Sequence, residues 1–145
     1  MKTLVLATDG SNYSDAAARC IADKTLFGSD VTVHVVHCMP DLSGDIKSLV
    51  GKAEVDAWYA EESTGAMASV CAILGAAGVP FERHALVGFP PERIVHHAQG
   101  AGAAAIVMGS HGRGVFVEAL MGSVAGRVLA HAECPVVLVK APKAR

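Results

Sequence analysis

The chain has 145 residues, a length that suits one domain with an independent core. Apolar residues make up 52% of the sequence and aromatic residues only 5%, so valine, isoleucine, leucine and alanine are expected to form that core. Twelve basic and fourteen acidic residues give a formal net charge of −2, which argues against a nucleic-acid-binding surface. No apolar run approaches the ~20 residues that a bilayer requires, and residues 1–9 lack the pattern of a signal peptide. We therefore expect a soluble, cytoplasmic protein without membrane contact.

Apolar runs alternate with helical patterns along the whole chain. Five short apolar or β-branched runs are predicted to be strands: residues 3–7, 31–37, 81–87, 104–108 and 136–139. Four helices are predicted between them: from residue 11 or 12 to about 27, from about 46 to 75, from 90, and after 123. Gly65 is expected to weaken the long second helix and to mark a bend.

This alternation predicts a doubly wound parallel sheet with helices on both faces. In such sheets a ligand lies beyond the carboxyl ends of the strands, where the direction of winding reverses. If the first and fourth strands are neighbours there, Asp9 and the loop that begins at Gly109 converge on one crevice.

Neither the cysteines nor the histidines show the close spacing of a metal site. The four cysteines are scattered without a C-x-x-C pair, as is typical of reduced, mostly buried residues in a cytosolic protein: Cys20, Cys38, Cys71 and Cys134. His34 and His37 lie three apart on a predicted strand, so they point to opposite faces and cannot chelate one ion. His96 and His97 are consecutive on a predicted helix and also diverge. These histidines are predicted to be polar surface residues or satisfied core residues.

A glycine-rich segment follows the fourth predicted strand and precedes a helix: Gly109-Ser-His-Gly-Arg-Gly114, and later Gly122-Ser123. Glycines allow close approach of the backbone, and a helix N-terminus offers unpaired N–H groups, so this arrangement is typical of phosphate binding. It is not a P-loop, because Val115 and Phe116 stand where lysine and a hydroxyl residue are needed. It is not the dinucleotide fingerprint either, because it follows the fourth strand and has Val117 at the third glycine position.

The pattern Gly109-x2-Gly112-x9-Gly122-Ser123 resembles that of the universal stress protein family, in particular its ATP-binding branch. The resemblance extends to Ala7-Thr-Asp-Gly-Ser11, Val33-His-Val-Val36 and Cys134-Pro-Val-Val-Leu-Val139, and so covers essentially the whole chain. It implies a single Rossmann-like domain over residues 1–145, with a five-stranded parallel sheet in the order 3-2-1-4-5.

The resemblance also implies a set of nucleotide-binding residues. Asp9 would meet the ribose with Ala7 and Thr8 beside it, and Val35 would contact adenine. The cradle would begin at Met108 and Gly109 and continue through His111 and Gly112. Phosphates would be held by the backbone N–H groups of four residues, Gly122, Ser123, Val124 and Ala125. The family often has proline at the position of Ala7 and a hydroxyl residue at the position of Ala125, so a weaker affinity is expected here.

Three polar residues of this predicted site have alternative interpretations. Arg113 is the nearest cation and either screens the phosphates or is a solvated loop residue. Asp9 either takes Mg²⁺ through water or caps the following segment in an Asx-turn. Ser123 either donates to phosphate or only caps its helix.

The function predicted is that of an ATP-binding stress-response or signalling module, in which ATP, with Mg²⁺ or Mn²⁺, changes the surface that an unknown protein partner recognises. A slow ATPase in the same pocket, or a protein-interaction subunit without ligand, are the alternatives. No general base is evident for hydrolysis, and no catalytic residue is assigned. The last strand, residues 136–139, is expected to form an open sheet edge that joins two copies as a homodimer.

Overall fold

The computed structural model describes residues 1–111 and 121–141 of the chain. Strands and helices alternate through these residues in the following order: β1 (Lys2–Ala7), α1 (Asn12–Ala22), β2 (Val31–Met39), α2 (Gly44–Val50), α3 (Lys52–Ala76), β3 (Phe81–Val87), α4 (Pro90–Ala101), β4 (Ala105–Gly109), α5 (Ser123–His131) and β5 (Val136–Val139). None of these helices has the length and apolar character needed to cross a bilayer.

The five strands form one parallel sheet in the order β3-β2-β1-β4-β5, which confirms the predicted doubly wound fold. The chain runs from β1 outward to β3 and then returns to the other side of β1 to form β4. The direction of winding therefore reverses between β1 and β4, where Ala7 is paired with Met108. Ligands in folds of this kind lie beyond the carboxyl ends of the strands at this point.

Each face of the sheet is covered by a separate apolar cluster. On one face, α1 and α3 pack on the strands through residues such as Leu4, Leu6 and Leu74, which are at most 1% exposed. On the other face, α4 and α5 cover Val5, Ile106 and their neighbours. Because both faces are buried, the central strands have almost continuous apolar sequences, and each fully buried side chain contributes about 1.5–3 kcal/mol.

Two helix boundaries differ from the sequence prediction. The helix α1 ends at Ala22 instead of near residue 27, because Lys24 has a φ of 64° and turns the chain. The predicted helix from 46 to 75 is two helices, which meet at Gly51 (φ 97°, ψ 148°). Gly65 lies inside α3 and does not interrupt it.

Candidate functional site

A hollow of about 320 Å³ opens beyond the carboxyl ends of β1 and β4, where the winding reverses. This volume lies at the lower end of the range for small-molecule sites. Its walls come from the loop after β1, the end of β2, the start of α4, the end of β4 and the start of α5. Five separate parts of the sheet and its connections therefore meet at one place.

The loop after β1 is held in shape by the side chain of Asp9. Its Oδ1 accepts hydrogen bonds from the Ser11 N–H at 3.0 Å and from the Ser14 hydroxyl at 3.1 Å. The Thr8 hydroxyl accepts from the N–H of Gly10, which has a φ of 83°. The hydrogen bond from the Ser11 N–H to the Asp9 carboxylate is the Asx-turn that the sequence suggested.

The opposite wall depends on a close contact between β4 and α1. A Cβ atom added to Gly109 would lie 2.6 Å from the Cβ of Tyr13 and 2.9 Å from its carbonyl carbon. Beyond Gly109, the Ser110 N–H donates to the Val139 carbonyl at 2.9 Å, and the Ser110 carbonyl accepts from the Gly122 N–H at 2.7 Å. Glycine at 109 thus lets β4 approach α1, and Ser110 fixes the start of α5 against the sheet.

The helix α5 begins at the hollow. Gly122 is its N-cap, with extended backbone angles and no side-chain cap, and its carbonyl accepts the first helical bond from Gly126 at 2.9 Å. The N–H groups of Ser123, Val124 and Ala125 precede that bond and have no acceptor within the helix. These three residues line the hollow. A helix N-terminus of this kind favours an anion through its N–H groups and its partial positive charge.

The remaining walls are mostly apolar and come from β2 and α4. Val36, His37 and Cys38 lie at the end of β2, and Pro90 and Ile94 in the first turns of α4. A ring nitrogen of His37 lies 2.9 Å from the Ser63 hydroxyl.

Burial gives one of these side chains an altered acidity. It raises the pKa of the Cys38 thiol to about 11, against a smaller opposing effect of Arg93. Cys38 is therefore a neutral, weakly polar wall residue at physiological pH.

Nearly all of the predicted site residues in the described part of the chain line this one hollow: Ala7, Thr8, Asp9, Met108, Gly109, His111, Gly122, Ser123, Val124 and Ala125. Val35 does not line it. Its side chain is fully buried on the other face, against α1 and α3, and its neighbour Val36 forms the wall instead. Gly112 and Arg113 lie outside the described residues.

Sequence reasoning did not assign several other lining residues: Ser14, Val36, His37, Cys38, Pro90 and Ile94. The parallel pairing of Ala7 with Val36 could have indicated Val36, His37 and Cys38, because it brings the end of β2 to the same edge of the sheet. The signal for Pro90 was its position at the start of a helix that follows a strand.

The hollow combines an anion-binding end with an apolar body. No lysine or arginine is among the lining residues that the structure describes, so backbone N–H groups supply the positive potential there. Asp9 is the carboxylate of this lining and lies on the loop after β1. Such a site suits a ligand with an anionic group, hydroxyl groups near a carboxylate and a flat apolar ring.

Comparison with known proteins points in the same direction. Residues 1–140 match the family model described as the universal stress protein family. A universal stress protein of Methanocaldococcus jannaschii is 34% identical over 150 residues, covering 98% of this chain and 84% of that protein. The solved structure of a second protein from that organism is 28% identical, covers 99% of this chain and 98% of its own, and has a TM-score of 0.82. The universal stress protein of Archaeoglobus fulgidus, solved in complex with dAMP, is 29% identical with a TM-score of 0.68, covering 97% and 98%.

Proposed function

This chain belongs to the universal stress protein family, and on that premise we propose that it binds ATP in the hollow between β1 and β4. In this proposal the protein is a nucleotide-dependent stress-response or signalling module with little or no hydrolysis. Binding of the nucleotide changes the surface that a partner protein recognises.

One observation carries the proposal: the first turn of α5 opens into the same hollow as Asp9. The N–H groups of Ser123, Val124 and Ala125 can hold phosphate oxygens, and the apolar residues at the end of β2 can cover the base. The Asp9 carboxylate can accept from a ribose hydroxyl. The complex of the Archaeoglobus fulgidus relative with dAMP supports an adenine nucleotide as the class of ligand.

A divalent cation fits this arrangement in one way. Asp9 is the carboxylate that the described part of the chain offers in the lining, and its Oδ1 is already engaged by Ser11 and Ser14. Mg²⁺ usually keeps several waters and takes its remaining ligands from nucleotide phosphates and one or two carboxylates. We propose that Mg²⁺ or Mn²⁺ arrives with the nucleotide and meets Asp9 through water.

The proposal of weak turnover has its basis in the charges at the phosphate end. Phosphoryl transfer requires strong neutralisation of charge and a group that positions the attacking water. The described lining supplies neither a lysine nor an arginine, and Arg113, the nearest cation in the sequence, lies outside the described residues. Several charge-assisted hydrogen bonds of about 1.5–3 kcal/mol each can nevertheless reach the ~8 kcal/mol of a micromolar complex.

Titration calorimetry with ATP, ADP, AMP and adenosine, with and without Mg²⁺, tests the proposal. We expect 1:1 binding of the nucleotides and clearly weaker binding of adenosine, because adenosine lacks the phosphate. Release of ADP is measured in parallel and is expected to stay below about one turnover per minute, far under the ~10 s⁻¹ of a typical enzyme. Absence of nucleotide binding would refute the proposal, and rapid ADP release would favour the ATPase.

We also propose that two copies pair along β5. This strand is the last of the sheet and contacts β4 on one side. The Pro135 carbonyl accepts from Ile106 of β4, and the Val139 carbonyl accepts from Ser110, the residue after β4. The alternate residues Val136 and Leu138 therefore direct their N–H groups toward the open edge. An apolar edge with unpaired N–H groups favours pairing with another strand.

A further inference from the structure

A group of three histidines lies on the α4 face of the sheet, away from the hollow described above. His34 is on β2, His84 on β3 and His97 on α4, and one ring nitrogen of each lies within 4.8 Å of the other two. The pairing of β2 with β3 places His34 opposite Glu82 and Val36 opposite His84. Residues two apart on a strand share a face, so His34, Glu82 and His84 all point toward α4.

The distances match those of a metal site. Two nitrogens bound to one tetrahedral Zn²⁺ at 2.0–2.1 Å lie about 3.4 Å apart. His34 Nδ1 and His97 Nε2 are 3.0 Å apart, and the largest separation in the group is within 4.8 Å. The three rings also lie close together, with centroids 4.5–5.2 Å apart. One pair is therefore already close to the required separation, and the widest pair exceeds it by at most about 1.4 Å.

The hydrogen bonds orient His34 for this role. Its Nε2 lies 2.8 Å from the Glu82 carboxylate, which only accepts, so in the neutral ring Nε2 carries the proton. The lone pair is then on Nδ1, the atom that faces His97. A carboxylate that fixes the outer N–H of a histidine is the usual support of a metal-binding imidazole.

His84 provides a second, independent observation. Its Nε2 is buried and has no hydrogen-bond partner within the described residues, and the nearest Glu82 oxygen is 3.6 Å away. A buried nitrogen without a partner is costly and requires an explanation. An ion bound at this nitrogen would give it a partner.

We propose that His34, His84 and His97 bind one transition-metal ion of the Zn²⁺ class, with Glu82 as the outer partner of His34. Imidazole ligands select Zn²⁺ and its neighbours over Mg²⁺. An adjacent hollow of about 400 Å³, lined by His34, His97, Arg93 and His96 among others, leaves the fourth position open to water or an anion. Burial lowers the pKa of His34 and His97, which favours the neutral form that binds metal.

The test is equilibrium binding of Zn²⁺ to the metal-free chain without a polyhistidine tag, in competition with a fluorescent chelator. We expect one ion per chain. His84→Gln and His97→Gln are each expected to weaken binding at least about 100-fold, and Glu82→Ala about 10–100-fold. His131→Gln is the matched control, because His131 is exposed on α5 and lies outside both the group and the adjacent hollow. It should retain the affinity of the unaltered chain.

Further measurements show whether each variant is folded and which atoms bind the metal. Circular dichroism and urea unfolding establish that each variant is folded, and His34→Gln replaces any variant that is not. Co²⁺ should give the absorption of a tetrahedral nitrogen site without a thiolate charge-transfer band. The proposal is overturned if the unaltered chain binds no Zn²⁺, if His84→Gln and His97→Gln keep its affinity, or if His131→Gln loses as much. AMP binding to the same variants should not change, so the two sites are tested separately.

Discussion

Gly109 lies where β4 meets the first turn of α1, and its lack of a side chain has a measurable consequence. A methyl group there would lie 2.6 Å from the Tyr13 Cβ and 2.9 Å from its backbone carbon, which is less yielding than a side-chain end. Gly109→Ala should therefore lower the free energy of unfolding by about 1–3 kcal/mol in a urea titration.

Gly65→Ala is the matched control for this substitution. Gly65 is exposed in the middle of α3, and an added Cβ would meet nothing within 4 Å. Alanine there should stabilise the protein by about 0.5–1 kcal/mol. Equal effects of the two substitutions would show that the contact between β4 and α1 is not as tight as described.

Cys38 gives a prediction about pH. Because burial raises the pKa of its thiol from the ordinary 9.0 to about 11, the folded protein favours the neutral thiol. The corresponding stability is complete below pH 9 and is lost as the pH rises toward 11. Alkylation of Cys38 at pH 8, followed by mass spectrometry of its peptide, should be much slower than that of free cysteine and slower still with bound AMP. Reaction as fast as free cysteine would contradict the burial of the thiol.

Single residues also show where sequence reasoning succeeds. Asp9 and Gly109 were predicted to converge because parallel strands end at one edge, and both line the hollow. Val35 was assigned by resemblance, but the alternation of side chains along β2 places it in the core on the far face. A one-residue difference on a strand reverses the face, and resemblance alone does not show which backbone or side-chain atoms meet a ligand.

The proposed binding of phosphate by the first turn of α5 can be tested selectively. Ser123→Asp puts a carboxylate on an exposed first-turn position, where it should stabilise the helix by about 0.3–1 kcal/mol. The same charge should repel a bound phosphate and weaken AMP binding at least about tenfold. Adenosine, which has no phosphate, should bind as before.

Ser123→Ala is the control for that experiment, since it removes the hydroxyl without adding charge. Its effect on AMP affinity should be smaller than that of Ser123→Asp. If Ser123→Asp leaves AMP affinity unchanged in calorimetry, the phosphate does not lie at the start of α5.

The boundary between α2 and α3 shows a limit of sequence periodicity. Apolar residues recur every three or four positions from Leu49 onward, so the pattern predicts one continuous helix. The chain nevertheless turns at Gly51. The spacing of apolar residues carries no information about its positive φ. Gly65 was predicted to mark a bend because glycine weakens a helix, but it lies inside the continuous helix α3.

At the scale of the whole molecule, pairing along β5 makes a prediction about backbone protection. In a dimer joined at this edge, the outward N–H groups of Val136 and Leu138 would form hydrogen bonds between the two copies. Their hydrogen exchange should slow as protein concentration rises and accelerate on dilution, in parallel with the mass found by sedimentation equilibrium. A chain that stays monomeric, or amides that exchange rapidly within a dimer, would exclude this edge as the interface.

The order of the sheet could be predicted from the alternation of elements together with the family resemblance, and the structure confirms it. The histidine group could not be predicted, because its members come from three elements that are distant in sequence. The sequence predicted only that pairs within one element, His34 with His37 and His96 with His97, do not chelate one ion, because their side chains diverge. His34, His84 and His97 lie close together because of the register between β2 and β3 and because α4 packs on these two strands.

A crystal structure of the protein with AMP bound is the most direct test of the proposed nucleotide site. We expect phosphate oxygens at about 3 Å from the N–H groups of Ser123, Val124 and Ala125, the ribose near Asp9 and the base against the end of β2. A nucleotide bound elsewhere on the molecule, or a hollow without density at saturating AMP, would show that the first turn of α5 is not an anion site.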